Sequence, residues 1–311
     1  MITIIIPVYN RAQIVGKTLQ SVVAQSYRPL NLILVDNNSS DDSLQVLRNF
    51  KSANEGPDFK ISILTEKRQS AAFARDCGAK TATTDWLLFF DSDDIMHPDL
   101  VETYANKIRQ CGANCDIIAS RTIYRPLKGE EFEMPFYQEK PLTNHIFHAI
   151  LATQRYIVRR DAIALAGGWN GEVRGWDDWE LGIRLLLTTN RIAFIDDKPR
   201  VTVVETKSSI TGQDFSSKHE EWEYALDLAT ESVANSSHPK KTKLLKYIDG
   251  RRAILAGLYA RENNHKIARA LIRKALKAQK GHILTRLCFR IAFIWTALNL
   301  RGASHLIKRL Q

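Results

Sequence analysis

Acidic side chains all but vanish from the last part of this 311-residue chain: Lys240 to Gln311 holds 18 Lys/Arg and 2 Asp/Glu. That segment carries a net +16, so with +10 overall the first 239 residues carry −6. An acidic body joined to a basic tail calls for an anionic partner for the tail. Cysteine is scarce as well. Cys77, Cys111, Cys115 and Cys288 show no metal-binding spacing, which excludes a zinc ribbon and reads as structural thiols of a reducing compartment. His145 and His148 sit three apart with no third ligand nearby and read as structural. No uninterrupted apolar stretch reaches the length of a membrane span. The opening Met1-Ile-Thr-Ile-Ile-Ile-Pro7 lacks a basic leader region, so it reads as a first strand and not as a signal peptide. Glycine is missing where two common nucleotide sites need it. No GxGxxG follows the first strand and no GxxxxGK[ST] occurs anywhere, which excludes a dehydrogenase-type site and a P-loop.

What is present is alternation. Ile2 to Ile6, Leu30 to Val35, Ile61 to Leu64 and Trp86 to Phe90 are short apolar runs. Ala12 to Gln25, the segment through Leu44, Val46 and Leu47, and Ala71 to Thr81 have helical spacing between them. Ser39 or Ser40 is placed to cap the second helix. Alternation of this kind predicts an α/β fold, a mostly parallel sheet flanked by helices. Further on, a helix to about Cys111 and strands at Asp116 to Ala119, Tyr156 to Val158, Ile192 to Ile195 and Arg200 to Val204 are expected. Residues 121 to 145 read as an irregular loop, and everything from about Ser217 as helix.

The densest chemical signal is the fourth strand running straight into Asp91-Ser92-Asp93-Asp94. Carboxylates crowded at a strand end repel one another unless a cation or ligand compensates them. Hard divalent cations take oxygen ligands and leave positions open for phosphate. In open α/β sheets, ligands bind at that end of the strands. The competing reading is a solvated turn in which Asp93 or Asp94 caps a helix near Pro98. A second dense segment, Gly167-Gly-Trp169 through Trp176-Asp177-Asp178-Trp179-Glu180, combines glycine, tryptophan and acid.

Five segments in order resemble glycosyltransferase family 2 over roughly residues 1 to 205. They are Ile-Ile-Ile-Pro7-Val-Tyr9-Asn10, Val35-Asp36-Asn37-Asn38-Ser39-Ser40-Asp41, Ala74-Arg75-Asp76-Cys-Gly78, Phe90-Asp91-Ser-Asp93-Asp94, and Gly167-Gly-Trp with Asp177-Asp178-Trp-Glu180-Leu. The resemblance implies a GT-A fold, Rossmann-like with a mostly parallel sheet flanked by helices. It also implies inverting transfer of a sugar from a nucleotide-diphosphate sugar to a hydroxyl. Carried over, Pro7, Tyr9, Asn10, Asp36 and Asn37 would bind the nucleotide. Arg68 and Arg75 are candidates for base or phosphate contacts. Asp91, Asp93 and Asp94 match the DXD region: Asp93 and Asp94 would hold ribose and a divalent metal, Mn or Mg, with Asp91 bracing them. Asp178 is the expected catalytic base, with Asp177 standing where the family usually has glutamate. Trp169, Trp176 and Trp179 could stack on the acceptor, with core packing as the alternative. Many members have Asp-Asp where this chain has Asp36-Asn37, so UDP is the first-ranked donor and dTDP, GDP or CMP donors stay open.

The expected organisation is a catalytic domain over 1–215, with a nucleotide-sugar half to about 97 and an acceptor half over 98–215, then a basic helical region over 216–311. Residues 263 to 279 and 283 to 298 are amphipathic and basic, which suits an anionic membrane surface; packing as a bundle is the alternative. No nucleic-acid recognition motif accompanies the charge. By analogy with the family, the acceptor is a glycan or lipid-linked glycan in cell-surface polysaccharide or glycolipid synthesis. The enzyme is then cytoplasmic, peripheral at the inner face of the plasma membrane. Rival readings are a membrane-surface binding protein with a degenerate transferase domain and a sugar nucleotidyltransferase. The latter would want a Gly-rich basic loop after the first strand.

Overall fold

The computed structural model describes residues 1–206 and 214–310. Contacts divide it into two compact units, Met1–Gln138 with Ile150–Ser209, and Glu139–Ala149 with Ile210–Gln311.

The first unit opens β1 (Ile2–Val8), α1 (Val15–Val23), β2 (Leu30–Asp36), α2 (Ser43–Asn54), β3 (Phe59–Thr65), α3 (Ala71–Thr81) and β4 (Trp86–Phe89). Every residue of β1 and β4 is buried, as unbroken apolar runs must be when helices cover both faces of a sheet. Then follow β5 (Ile95–Met96), α4 (Leu100–Cys111), β6 (Ile117–Ser120), β7 (Ile123–Arg125), β8 (Phe132–Glu133), β9 (Tyr156–Arg159), α6 (Arg160–Leu165), α7 (Asp177–Thr188), β10 (Ile192–Ile195) and β11 (Val201–Val204), interrupted after β8 by α5 (Pro141–His148) of the second unit. The main sheet has the order β10-β6-β9-β4-β1-β2-β3, and β5-β11-β7-β8 form a smaller one. Strands β3, β2, β1 and β4 are parallel neighbours, while β9 runs antiparallel to both β4 and β6. This is the helix-flanked, mostly parallel sheet expected from the alternation.

Parallel pairing brings the carboxyl ends of β1, β2 and β4 to one rim, with Val8 beside Asp36 and Ile5 beside Phe89. Helix α3 lies close on β1. A Cβ on Gly78 would stand 2.5 Å from Ile5 Cγ2, so glycine is what permits the approach.

Three local expectations are corrected. Helix α1 starts at Val15 and not at Ala12, because the Arg11 and Ala12 amides donate to Ser43 Oγ and Asp41 Oδ2. Neither Ser39 nor Ser40 caps α2. Asp42 holds the N-cap position without a side-chain bond, and the amides of Ser39 and Ser40 donate to Asp36 and Asn10. The stretch 121–145 contains β7, β8 and the start of α5; strand pieces of two or three residues are too short to show a period.

The second unit holds α5 with α8 (His219–Asn235), α9 (Lys241–Arg261), α10 (His265–Ala278), α11 (Ile283–Ala297) and α12 (Ala303–Lys308). Residues 139–149 thus group with the C-terminal helices, although the sequence reading ran the catalytic segment continuously to 215. Phe147 packs edge-on against Tyr247, and Arg251 donates to the Phe147 carbonyl. Among the described residues no helix is long and apolar enough to cross a membrane.

Candidate active site

The rim is built from the loops after β1 and β2. Asn10, at φ 51°, accepts the Ser40 amide through Oδ1 at 2.8 Å, and its own amide donates to Ser39 Oγ. Pro7 is buried in β1 beside Val35, while Tyr9 stands exposed at the rim. Asp36 is buried. Its Oδ2 accepts the Ser39 amide, but its Oδ1 has no partner among the described residues. An orphaned buried carboxylate oxygen is costly and points to a missing donor.

Asn37 is spoken for. Its Nδ2 donates to the carbonyls of Glu66 and Arg68, both at 2.8 Å, and its Oδ1 accepts the Ser70 amide. It shapes the 66–70 loop, and the side chain is buried. These bonds account for asparagine at this position: a carboxylate could not donate to two carbonyls. Asn37→Asp is expected to cost about 1–3 kcal/mol by leaving both carbonyls unpaired. A lower urea midpoint at unchanged slope would register this; an unaltered midpoint would mean the loop does not depend on those bonds.

Arg68 is largely exposed. It holds Glu66 through two side-chain bonds and lies 4.1 Å over the Phe73 ring. That fork pulls the Glu66 carboxyl down to about 2. Arg75 is different. It is buried at the rim end of α3 and forks between Asp91 Oδ1 and Asp177 Oδ2, each at 2.6 Å. It also sits 4.7 Å over the Trp169 ring. Arg75 therefore joins the acids after β4 to the acids that open α7.

The three acids after β4 divide their work. Asp94 is buried, with Oδ1 accepting the Val204 amide at 2.8 Å and Oδ2 bonded by Gln154 Nε2. Burial first, and the charge of Asp91 next, raise its carboxyl well above the usual range. Asp94 thus braces the loop from inside, the role the sequence reading gave to Asp91. Asp93 makes no side-chain bond to another described residue. Its carboxyl is raised by burial and by Asp91, with Arg11 acting against that.

Helix α7 opens with Asp177, Asp178 and Glu180, where the helix dipole favours negative charge. Trp176 just before it holds a left-handed φ of 58°. Asp178 accepts the Trp179 amide through Oδ1 at 2.7 Å and the Thr153 amide through Oδ2 at 3.2 Å. Protein surrounds the pair on most sides, and both carboxyls are raised, by burial first. Arg75 offsets this chiefly for Asp177, its direct partner; Asp178, next to Asp177, is pushed up to about 7.

Trp169 and Trp179 are buried in the core, Trp169 edge-on to Phe89, so neither offers a face to an acceptor. Of the three tryptophans only Trp176 keeps a partly accessible position. The Gly167-Gly168 turn is held by Arg184, which donates to the Ala166 and Gly168 carbonyls while paired with buried Glu180. A Cβ on Gly168, at φ 73°, would lie 2.6 Å from Asp76 Oδ1.

Residues outside the recognised segments complete the site. Thr153 and Gln154, on one turn before β9, hold Asp178 and Asp94. Tyr156 has a buried hydroxyl with no partner among the described residues. Nothing in the local sequence marks them; only the antiparallel return of β9 beside β4 brings them here.

Among the described residues no group of three or more His, Cys, Asp or Glu could cage a metal. A magnesium-type ion needs less: one or two carboxylates, with phosphate oxygens and water for the rest. Five carboxylates meet one buried guanidinium here. Arg75 is committed to Asp91 and Asp177, and the Asp93 carboxyl stays raised by burial and Asp91 against the pull of Arg11 and Arg75. Carboxylates crowded in this way fit a divalent cation that arrives with a diphosphate.

The same arrangement of chain occurs in solved structures. Staphylococcus aureus TarS in complex with UDP-GlcNAc superposes with a TM-score of 0.75, covering 99% of this chain and 89% of that one at 17% identity. The mannosyltransferase PcManGT of Pyrobaculum calidifontis, in complex with GDP-Man and Mn2+, gives 0.58 at 16% identity, covering 99% and 85%. At such identities the likeness shows the fold. An uncharacterized glycosyltransferase of Haemophilus influenzae is 29% identical over 196 residues, 60% of this chain and 62% of that protein. The amylovoran biosynthesis glycosyltransferase AmsB of Erwinia amylovora is 34% identical over 101 residues, 32% of this chain and 33% of AmsB. The chain thus spans less than two thirds of the curated relatives it matches. The model of glycosyl transferase family 2 matches residues 3–163, just over half of the chain. With that match and the GT-A fold, the chain belongs to glycosyltransferase family 2.

Proposed function

We propose that this chain is a metal-assisted, inverting glycosyltransferase that moves a sugar from a nucleoside diphosphate onto a hydroxyl of a glycan or lipid-linked acceptor. The observation that carries the reading is the Arg75 bridge. It ties Asp91, two residues before Asp93, to Asp177, the neighbour of Asp178, and so links the acids after β4 to the acids that open α7 through one cation. Asp178 takes the proton of the acceptor hydroxyl as its oxygen attacks the anomeric carbon. The bond from that carbon to the diphosphate oxygen breaks on the opposite face, and the nucleoside diphosphate departs. Inversion by direct displacement needs one base, and Asp177, tied to Arg75, is the poorer one. A divalent cation, Mn or Mg, held by Asp93 with Asp91 would supply charge stabilisation to the leaving diphosphate.

The orphaned Asp36 Oδ1 supports recognition of the nucleoside. Uracil and thymine offer an imide N–H and guanine a ring N–H to such an acceptor, whereas cytosine offers only its exocyclic amine. UDP, dTDP and GDP donors therefore rank above CMP, and UDP stays the first candidate by the family resemblance. By analogy with the family, the acceptor belongs to cell-surface polysaccharide or glycolipid assembly at the inner face of the plasma membrane.

Thermal melting with UDP, dTDP, GDP and CMP, each with and without manganese, tests the reading. One diphosphate is expected to stabilise the protein only with manganese, by about 2.7 kcal/mol at a hundred times its Kd. No response to any nucleotide would overturn it.

A further inference from the structure

A helix packed on one side of a bundle should turn polar side chains outward. Helix α11 does the reverse. It seats on α9 through Thr285, Phe289, Ala292 and Thr296. The seat is close: a Cβ on Gly257 of α9 would lie 2.6 Å from the Phe293 carbonyl oxygen, and one on Gly250 would lie 3.3 Å from Phe289. The inward face is therefore settled, and the outward face is apolar. Ile283 is 79% exposed, Leu284 75%, Leu287 51% and Leu298 65%, with Ile294 and Trp295 beside them. Positions 283, 287, 294 and 298 recur at helical spacing and form one stripe. Arg290, three residues after Leu287 and four before Ile294, lies within this otherwise apolar stripe, with Arg286 at its edge.

The sequence reading gave both α10 and α11 to a membrane surface. The structure separates them. The apolar face of α10, through Ala268, Leu271 and Ala275, is spent inside the bundle, leaving Lys266, Arg269, Arg273, Lys277 and Lys280 exposed. Residues 263 to 311 contain eleven Lys/Arg and no Asp/Glu.

We infer that the outward stripe of α11 docks on an anionic lipid bilayer, with the surrounding cations on its headgroups. Charge selects this occupant. A second copy would bring one predominantly cationic surface against another, whereas a headgroup plane is a diffuse anionic field that the scattered cations match without pairwise register. A single convex helix with a tryptophan and two arginines suits the boundary between headgroups and acyl chains. The inference extends the lipid-linked-acceptor reading but stands on these helices alone.

Co-sedimentation of the full chain with phosphatidylglycerol-containing vesicles tests it, against vesicles of phosphatidylcholine alone. The wild type is expected to bind the anionic vesicles, less so as salt rises. Leu287→Glu with Ile294→Glu should weaken that binding by at least about tenfold, since two apolar side chains no longer enter the lipid. Both positions face away from the bundle, so the melting temperature should hold, and nucleotide-induced stabilisation reads the transferase site separately. Three results would each overturn the inference: no binding by the wild type, binding indifferent to the double substitution, or a lipid-free dimer that the same substitutions dissolve. Loss of nucleotide response with vesicle binding intact would instead count against the transferase reading.

Discussion

Asp178→Asn is expected to lower sugar transfer by about 10²–10⁴-fold while manganese-dependent nucleotide binding persists. The donor contacts proposed above rest on Asp36 and Asp93, neither of which touches Asp178. The substitution keeps shape but removes the proton acceptor. It also turns an amide N–H toward the Thr153 N–H, where Oδ2 now accepts, so a local cost of about 1–3 kcal/mol accompanies it. The pH profile separates chemistry from that cost. Burial, then Asp177, pushes the Asp178 carboxyl up to about 7. A base works ionised, so turnover should rise with pH through that region, whereas an ordinary aspartate would give its limb near pH 4. The limb should be missing from the residual activity of the variant. Stability runs the other way: a carboxyl raised on folding binds its proton more tightly folded than unfolded, so its ionisation weakens the fold as pH rises from about 4 toward 7. Unchanged turnover in Asp178→Asn would remove Asp178 as the base.

Arg75→Met should be the most damaging single substitution for the fold of the site. It leaves Asp91 and Asp177 without the cation that each now holds at 2.6 Å. Breaking a buried pair by removing one partner costs about 3–5 kcal/mol. Both acids keep some exposure, so screening by water places the loss near the lower end. The signature is its pH dependence. Without Arg75 the Asp177 carboxyl, already raised by burial, loses the cation that offsets it, so the folded state binds its proton more tightly than the unfolded one and stability should recover as pH falls. Lost packing against Trp169 would show no such recovery. Arg75→Lys should restore only part of the loss, because one ammonium cannot reproduce a fork between two carboxylates. Urea unfolding of the three proteins at several pH values measures this. A pH-independent loss below about 1 kcal/mol would mean that the bridge contributes little.

The contrast between Asp36 and Asn37 shows how far a local segment carries. Val35-Asp36-Asn37 is recognisable because a strand end and its following polar residues are contiguous. Which of the two remains open to a ligand depends on the 66–70 loop, thirty residues away, whose carbonyls and amide occupy Asn37 entirely. Asp93 and Asp94 differ for the same reason. The adjacent acids look equivalent until Gln154, from the turn before β9, and Val204 of β11 arrive to take Asp94. The tryptophans of the 169–179 segment could be read either as stacking platforms or as core, because composition does not say which side of a turn faces inward.

By itself the sequence determined the strand-helix alternation, the parallel sheet with its acids at one rim, the family, and the charge of the C-terminal helices. These follow from periodicity, contiguous segments and composition, all local properties of a chain. Tertiary structure alone decided that Arg75 bridges Asp91 and Asp177, and that Thr153 and Gln154 bond Asp178 and Asp94. It also decided that 139–149 belongs with the C-terminal unit and that α11, not α10, keeps its apolar face outward. Each depends on which distant elements pack together, and a side chain's role is settled by the partner that reaches it first.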